Sequence, residues 1–193
     1  MEQKNHILRW DVIVTLIKKY NYTRYLEVGV ATGDTFEKIE IQHKVSVDPN
    51  APNATYKVTS DNFFHSNKEQ FDIIFIDGDH SYEQVMKDFH NAISCLAKNG
   101  TIVAHDCNPL SEAHESLHLN GTVWKAWTEY RMTRENIFMF VVPTVDGGCG
   151  VIRRGRQQLF KSTPVKALNY AFLDRNRKQL LNLSSENWTS LLR

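Results

Sequence analysis

Seven residues, FDIIFID at 71–77, form a continuous, mainly apolar run that stops abruptly at Gly78-Asp79-His80. A run this short, bounded by turn formers and charges, suits a strand better than a buried helix. A strand covered on both faces belongs to a parallel sheet, which needs helices on either side. The flanking sequence supplies that alternation. YLEVGV (25–30), VSVD (45–48) and TYKV (55–58) read as earlier short strands, and TIVAHD (101–106) as the next. ATGDTFEKIE turns into a helix, with Asp34 three residues before Glu37 marking its start. SYEQVMKDFHNAISCLAKNG is predicted to be a helix opened by a capping box of Ser81 and Gln84 and stopped by Gly100.

The ends of the chain fit the same scheme. Ile7, Leu8, Ile13, Leu16 and Ile17 recur at helical spacing, and GTVWKAWTEYRMT predicts a later helix. IFMFVV (137–142) and GVIRR (150–154), separated by VDGGC, read as an antiparallel pair. The expectation is one α/β domain over residues 1–193: an N-terminal helix (1–20), a core (21–154) and a helical tail (155–193). Its sheet should be doubly wound and mostly parallel, seven-stranded, with an antiparallel final strand.

Composition excludes several classes. The 193 residues carry 23 Lys and Arg against 22 Asp and Glu, so no basic excess exists to grip a phosphate backbone, and nucleic acid is not an expected partner. Arg153, Arg154 and Arg156 read as a solvated strand end. The first 20 residues are charged at both ends and hold Asp11 within their apolar stretch, which fits neither a signal peptide nor a membrane span. Cys95, Cys107 and Cys149 are odd in number and widely spaced, so neither a disulfide framework nor a thiolate zinc cage is implied. The expected location is cytoplasmic.

In open α/β sheets, ligands bind beyond the carboxyl ends of the strands. Here those ends are polar or glycine-bearing: 27–35, 48–50, 59–61, 77–80 and 105–108. Gly29 and Gly33 let the backbone approach a ligand closely, and the helix from Asp34 offers its N-terminus to a carboxylate. Glu27 would repel a pyrophosphate but suit an ammonium or sulfonium group. The spacing departs from the G-x-G-x-x-G dinucleotide fingerprint. It resembles the E-x-G-x-x-x-G signature of class I S-adenosylmethionine-dependent methyltransferases. That resemblance implies a Rossmann-like fold and S-adenosylmethionine as cofactor, bound by Glu27, Gly29, Val30, Gly33 and Asp77. It also implies Asp48 on the ribose hydroxyls, with Ser60 and Asp61 at the adenine.

The segment from Phe71 to Pro109 resembles a subset of that class, which includes sugar and macrolide O-methyltransferases and cephalosporin-hydroxylase-like proteins. Its members typically read I-D-G-D-H-S-Y-x-x-V-x-x-D and then G-G-x-I-V-x-x-D. GTVWKAW and G-x-G-V-I at 148–152 fit too, so the likeness runs from about residue 24 to 153. It implies methylation of a hydroxyl on a small-molecule acceptor, such as a sugar, with Asp77, Asp79, His80 and His105 as catalytic residues. It further implies a divalent metal held by Asp77, His105 and Asp106. His105 stands where relatives have an acid, and two carboxylates with an imidazole suit manganese, iron or zinc better than magnesium. Without a metal, His105 or His80 serves as general base. Asp79 and His80 also read as caps for the helix at Ser81, Asp88 and His90 as solvated helix surface, and Cys107 as inert.

His114-Glu115-Ser116-Leu117-His118 matches the zinc-hydrolase pattern H-E-x-x-H, but its flanks hold Pro109 and Gly121 and few residues to anchor a helix. The segment reads instead as a loop overhanging the acceptor. Two alternatives stay open beside methyl transfer: a non-catalytic nucleotide- or cofactor-binding domain, and that zinc hydrolase. The apolar tail offers a surface for a homodimer.

Overall fold

The computed structural model describes residues 6–185 and 187–192. Six strands form one sheet in the order β2-β1-β3-β4-β6-β5. They are β1 (Arg24–Val28), β2 (His43–Val47), β3 (Phe71–Ile76), β4 (Leu96–Ala104), β5 (Ile137–Val142) and β6 (Cys149–Arg154). The first four pair in parallel, while β6, last in the chain, inserts antiparallel between β4 and β5. Among the described residues six α-helices accompany them: α1 (Arg9–Tyr20), α2 (Asp34–Lys38), α3 (Ser60–Ser66), α4 (Tyr82–Cys95), α5 (Val123–Thr133) and α6 (Tyr170–Leu181). No helix among the described residues is long and apolar enough to cross a membrane.

Strand alternation divides the core in two. Leu26, Val28, Ile74 and Ile76 face α4 and α5, whose Phe89, Trp124 and Trp127 are fully buried. Tyr25, Ile73, Phe75 and Val103 face α1 through Val12, Ile13 and Leu16. The tail packs on its own chain: Val165, Leu168, Leu173, Leu180 and Leu181 join the first cluster, and Trp188 and Leu192 the second. The apolar surface read as a dimer face is therefore largely consumed within the chain.

Three expectations are corrected. TYKV is not a seventh strand but a single parallel bridge, Val47 to Tyr56. Pro49 and Pro52 precede it, and Ser46 and Thr55 bond through their hydroxyls, Ser46 N donating to Thr55 Oγ1 at 3.2 Å, where a ladder would use carbonyls. Gly100 does not end α4, which stops at Cys95. It lies inside β4, where the register slips between Phe71↔Leu96 and Ile73↔Thr101, and a Cβ there would sit 2.8 Å from Asp72 O. The capping box is half made. Ser81 Oγ accepts from Gln84 N at 3.4 Å, but the Gln84 side chain turns to Ser60, Asp61 and Asp88.

Candidate active site

The carboxyl ends of the parallel strands open into a crevice of about 860 Å³, a usual size for a small-molecule site. Gly29, Asp48, Ser60, Asp61, Asp77, Asp79, His80, His105 and Asp106 all line it. At Gly29 the backbone has φ 85°, and an added Cβ would meet Asp77 O at 2.1 Å. The loop after β1 is thus pressed against the end of β3, with room for glycine alone.

Glu27, Val30 and Gly33 do not line the crevice. Glu27 shares the Tyr25 face of β1, which α1 covers, and it accepts a hydrogen bond from the Tyr25 hydroxyl. It is 1% exposed. Burial, with Asp77 nearby, pushes its pKa to about 8, against the opposing pull of the Tyr25 bond, Arg9 and Lys44. Burial thus favours the protonated form of Glu27, and strand alternation places it on the α1 face of the sheet, outside the crevice lining. Val30 packs on Ala51 and Ala54. Gly33 caps α2, which is only five residues long.

Asp48 lines the crevice, but its carboxylate is fully engaged. Oδ2 accepts from the backbone N–H groups of Val30 and Ala31 at 2.9 and 3.0 Å, and Oδ1 from those of Asn50 and Ala51 at 2.7 and 2.9 Å. Slight burial opposes ionisation, and these donors overcome it, so its pKa falls below the usual value. Asp48 thereby ties the glycine loop to the turn after β2. Ser60 and Asp61 begin α3, where Gln84 Nε2 donates to both at 3.2 and 3.0 Å.

The other end of the crevice holds an ion-paired cluster. His105 Nδ1 lies 3.2 Å from Asp77 Oδ1 and 3.0 Å from Asp106 Oδ1. His80 Nε2 lies 3.2 Å from Asp106 Oδ2 and 3.7 Å from Asp77 Oδ1. Arg9 of α1 reaches in, Nη1 at 2.6 Å from Asp77 Oδ2 and Nε at 2.9 Å from Asp146 Oδ2. Burial disfavours charge on Asp77, yet His105, His80 and Arg9 hold its pKa well below the carboxylate range. Burial likewise opposes charge on His105 and His80. Asp77 and its neighbours win, raising both above the ordinary imidazole value. Asp106 sits at φ 61°, a strained conformation for a residue with a Cβ, and Asn120 Nδ2 donates to its Oδ1.

Asp77, His80 and Asp106 each offer a ligand atom, all within 4.8 Å of one another, so these three could hold a divalent cation. His80 takes the place expected of His105, which stands behind the two carboxylates, its Nε2 3.6 Å from Asp146 Oδ2. Asp79 Oδ1 accepts from Ser81 N at 2.7 Å, a helix-capping role at the crevice edge. Asp88, read as solvated surface, is 1% exposed and lines the crevice. Its position on the Val85 and Phe89 side of α4 was the available signal. Arg9, Asn120 and Asp146 carried no signal, since they lie in a helix, a loop and a hairpin turn far apart in sequence. Cys107 is buried, and burial raises its pKa well above that of a free thiol.

The H-E-x-x-H segment does not form a zinc site. Glu112–Glu115 is a short 3-10 turn, so His114 and His118 do not share a helix face. His114 Nδ1 lies 2.6 Å from Ser111 Oγ, and Glu115 Oε1 accepts from Trp124 Nε1 at 2.8 Å. Both histidines do line the crevice.

Residues 26–107 match a family model described as a methyltransferase domain. Among solved structures, the O-methyltransferase from Bacillus cereus in complex with SAH aligns at TM-score 0.60 and 13% identity, over 78% of this chain and 84% of that one. SAH-bound Podospora anserina methyltransferase PaMTH1 aligns at 0.58 and 16%, over 80% of each chain. The O-methyltransferase TomG from Streptomyces achromogenes, involved in tomaymycin synthesis and in complex with SAM, aligns at 0.57 and 11%, over 79% and 83%. No curated protein matches the chain. The fold is that of the class I methyltransferases.

Proposed function

We propose that this chain transfers a methyl group from S-adenosylmethionine to a hydroxyl of a small-molecule acceptor, such as a sugar or another small polar metabolite. The observation that carries the reading is the coincidence of the family match with an acid–imidazole cluster at the ends of β3 and β4. The glycine cradle at Gly29 and the size of the crevice suit the cofactor, and the aligned Bacillus and Streptomyces enzymes hold SAH and SAM. Crevice residues available to it are Gly29, Asp48, Ser60, Asp61 and Asp77.

S-adenosylmethionine supplies an electrophilic methyl group, so the protein's work is to align the acceptor and take up its proton. His80 Nε2 and Asp77 Oδ1 face that task, while Arg9 fixes the other oxygen of Asp77. His105 keeps Asp77 ionised, and its contacts to Asp77 and Asp106 orient both carboxylates. Two versions of the proton step follow from different observations. The donor set Asp77, His80 and Asp106 would hold a divalent cation, which supplies Lewis acidity to the acceptor hydroxyl. Alternatively Arg9 and protonated His105 balance the carboxylates and His80 is the base, as its pairing with Asp106 allows.

Calorimetry with S-adenosylhomocysteine is expected to give a micromolar Kd, on the order of 7–8 kcal/mol. Transfer from radiolabelled S-adenosylmethionine to a panel of hydroxyl acceptors then separates an enzyme from a cofactor-binding module. Repeating it with EDTA separates the two versions: loss of transfer supports the cation, and unchanged transfer supports His80 alone. Binding of NAD or ATP in preference to S-adenosylhomocysteine would remove the reading.

A further inference from the structure

The tail helix α6 is tied to the crevice through a side chain that does not line it, Arg177. Its Nη1 donates to Asn108 Oδ1 at 2.6 Å and to Pro109 O at 2.7 Å. Its Nη2 donates to the Tyr170 hydroxyl and to Asp174 Oδ1, both at 3.0 Å. The Asp174 side chain is 61% exposed, so that ion pair contributes little. Asn108 is 5% exposed, and the bonds to its segment are sheltered and charge-assisted. The helix that carries Arg177 is itself held in place. Arg131 Nη1 donates to Leu180 O at 2.9 Å and Trp127 Nε1 to Leu181 O at 3.1 Å, while Leu173, Leu180 and Leu181 are buried in the core.

Two residues before Asn108 stands Asp106, at φ 61°. A residue with a Cβ keeps such a conformation only where its surroundings over-determine it. Asn120 Nδ2 donates to Asp106 Oδ1, and His80 Nε2 lies 3.2 Å from Oδ2. The β5–β6 turn takes the backbone that follows: Cys107 N donates to Gly148 O at 3.2 Å and Asn108 N to Gly147 O at 2.7 Å. Gly148 packs so closely that a Cβ there would meet Asn108 Cβ at 2.4 Å. Arg177 completes this hold, its planar fork reaching the Asn108 side chain and the Pro109 carbonyl together. A lysine, a point charge on a flexible stem, could not match that fork.

We propose that Arg177 is a positioning residue for Asp106, acting from outside the crevice by fixing the Asn108–Pro109 segment and with it the Asp106 carboxylate between His80 and His105. Its effect on transfer rests on the methyltransferase reading above. Without Arg177, two sheltered oxygens lose their donor and the segment is free to relax, which carries the Asp106 carboxylate off His80 Nε2. The cofactor end, at Gly29 and Asp48, is built from other loops and keeps its shape.

Amide hydrogen exchange and transfer kinetics on the full chain test this with Arg177→Met and Asp174→Asn. In Arg177→Met, the Cys107 and Asn108 amides should exchange at least about tenfold faster, while the amides of β3 keep their wild-type rates. On an acceptor that the wild type methylates, kcat should fall at least about tenfold, with the Kd for S-adenosylhomocysteine within about twofold of wild type. Asp174→Asn, which spares the bonds to Asn108 and Pro109, should change none of these. Should Arg177→Met not fold, Arg177→Lys is expected to move the same quantities in the same direction, since it keeps the charge and loses the fork. Equal acceleration of β3 and the Asn108 segment, unchanged kcat, or an equal effect of Asp174→Asn overturns the proposal. Absence of transfer by the wild type to every acceptor removes the methyltransferase reading instead, and the exchange rates still decide whether Arg177 holds the segment.

Discussion

The two ends of the crevice are both built from aspartates at strand ends, yet they are organised in opposite ways. Around Asp48, every lone pair in use faces the chain's own backbone: four N–H groups from the loops after β1 and β2. Asp77 instead pairs with Arg9, His80 and His105, which in turn pair with Asp106 and Asp146, so the cluster draws ionisable side chains from four separate segments. The first is an aspartate closing a loop, local and self-contained. The second exists only after α1, β3, β4 and the β5–β6 turn have met, and one nitrogen on each of its histidines makes no hydrogen bond within the protein. An acid at a strand end can therefore be scaffold or chemistry, and its partners decide which.

Asp77→Asn tests the contrast most severely. It preserves shape but removes the charge that Arg9 and His105 face, and transfer activity should fall roughly a hundred- to ten-thousand-fold, with affinity for S-adenosylhomocysteine changing far less. A loss confined to cofactor binding would erase the distinction between the two ends.

Asp48→Ala should do the converse. Stranding four N–H groups is expected to cost about 1–3 kcal/mol in urea unfolding and to weaken S-adenosylhomocysteine through a loosened loop. Because Asp48's pKa is lowered in the fold, its contribution is present above the ordinary carboxylate range and is lost as pH falls through the folded value. Unchanged stability with lost cofactor binding would make Asp48 a ligand contact instead of a clamp.

Glu27→Gln sharpens the comparison on the buried side of the same loop. The folded pKa is raised from 4.5 to about 8, so wild-type stability should decline as pH climbs through that window and level off above it. The variant should flatten this slope in thermal unfolding and leave cofactor affinity unchanged near pH 7. A clear loss of affinity would put Glu27 back at the ligand. The smallest effect is expected from Glu115→Gln, which keeps an oxygen for Trp124 Nε1 and should alter neither transfer nor metal content. Loss of stoichiometric zinc on replacing His114 and His118 would revive the hydrolase reading.

What the sequence determined by itself was local and periodic. The apolar run at 71–77 suited a strand buried on both faces better than a buried helix, and its alternation with helices left a doubly wound, mostly parallel sheet with an antiparallel final strand. Since ligands in such sheets collect at the strands' carboxyl ends, Asp77, His105 and Asp106 were legible as a group before any coordinate, with Asp79 and His80 as further candidates beside them. Side-chain direction was less so: Glu27 ends a strand like Asp77 does, but pleating turned it under α1 beside Tyr25. TYKV had strand composition, yet hydroxyl bonds between Ser46 and Thr55 replaced its ladder. Arg9 and Asp146 entered the site from 68 and 69 residues on either side of Asp77. No spacing rule reaches across such distances, because contacts of that kind are set by how helices pack on the sheet and not by anything written near the residues themselves.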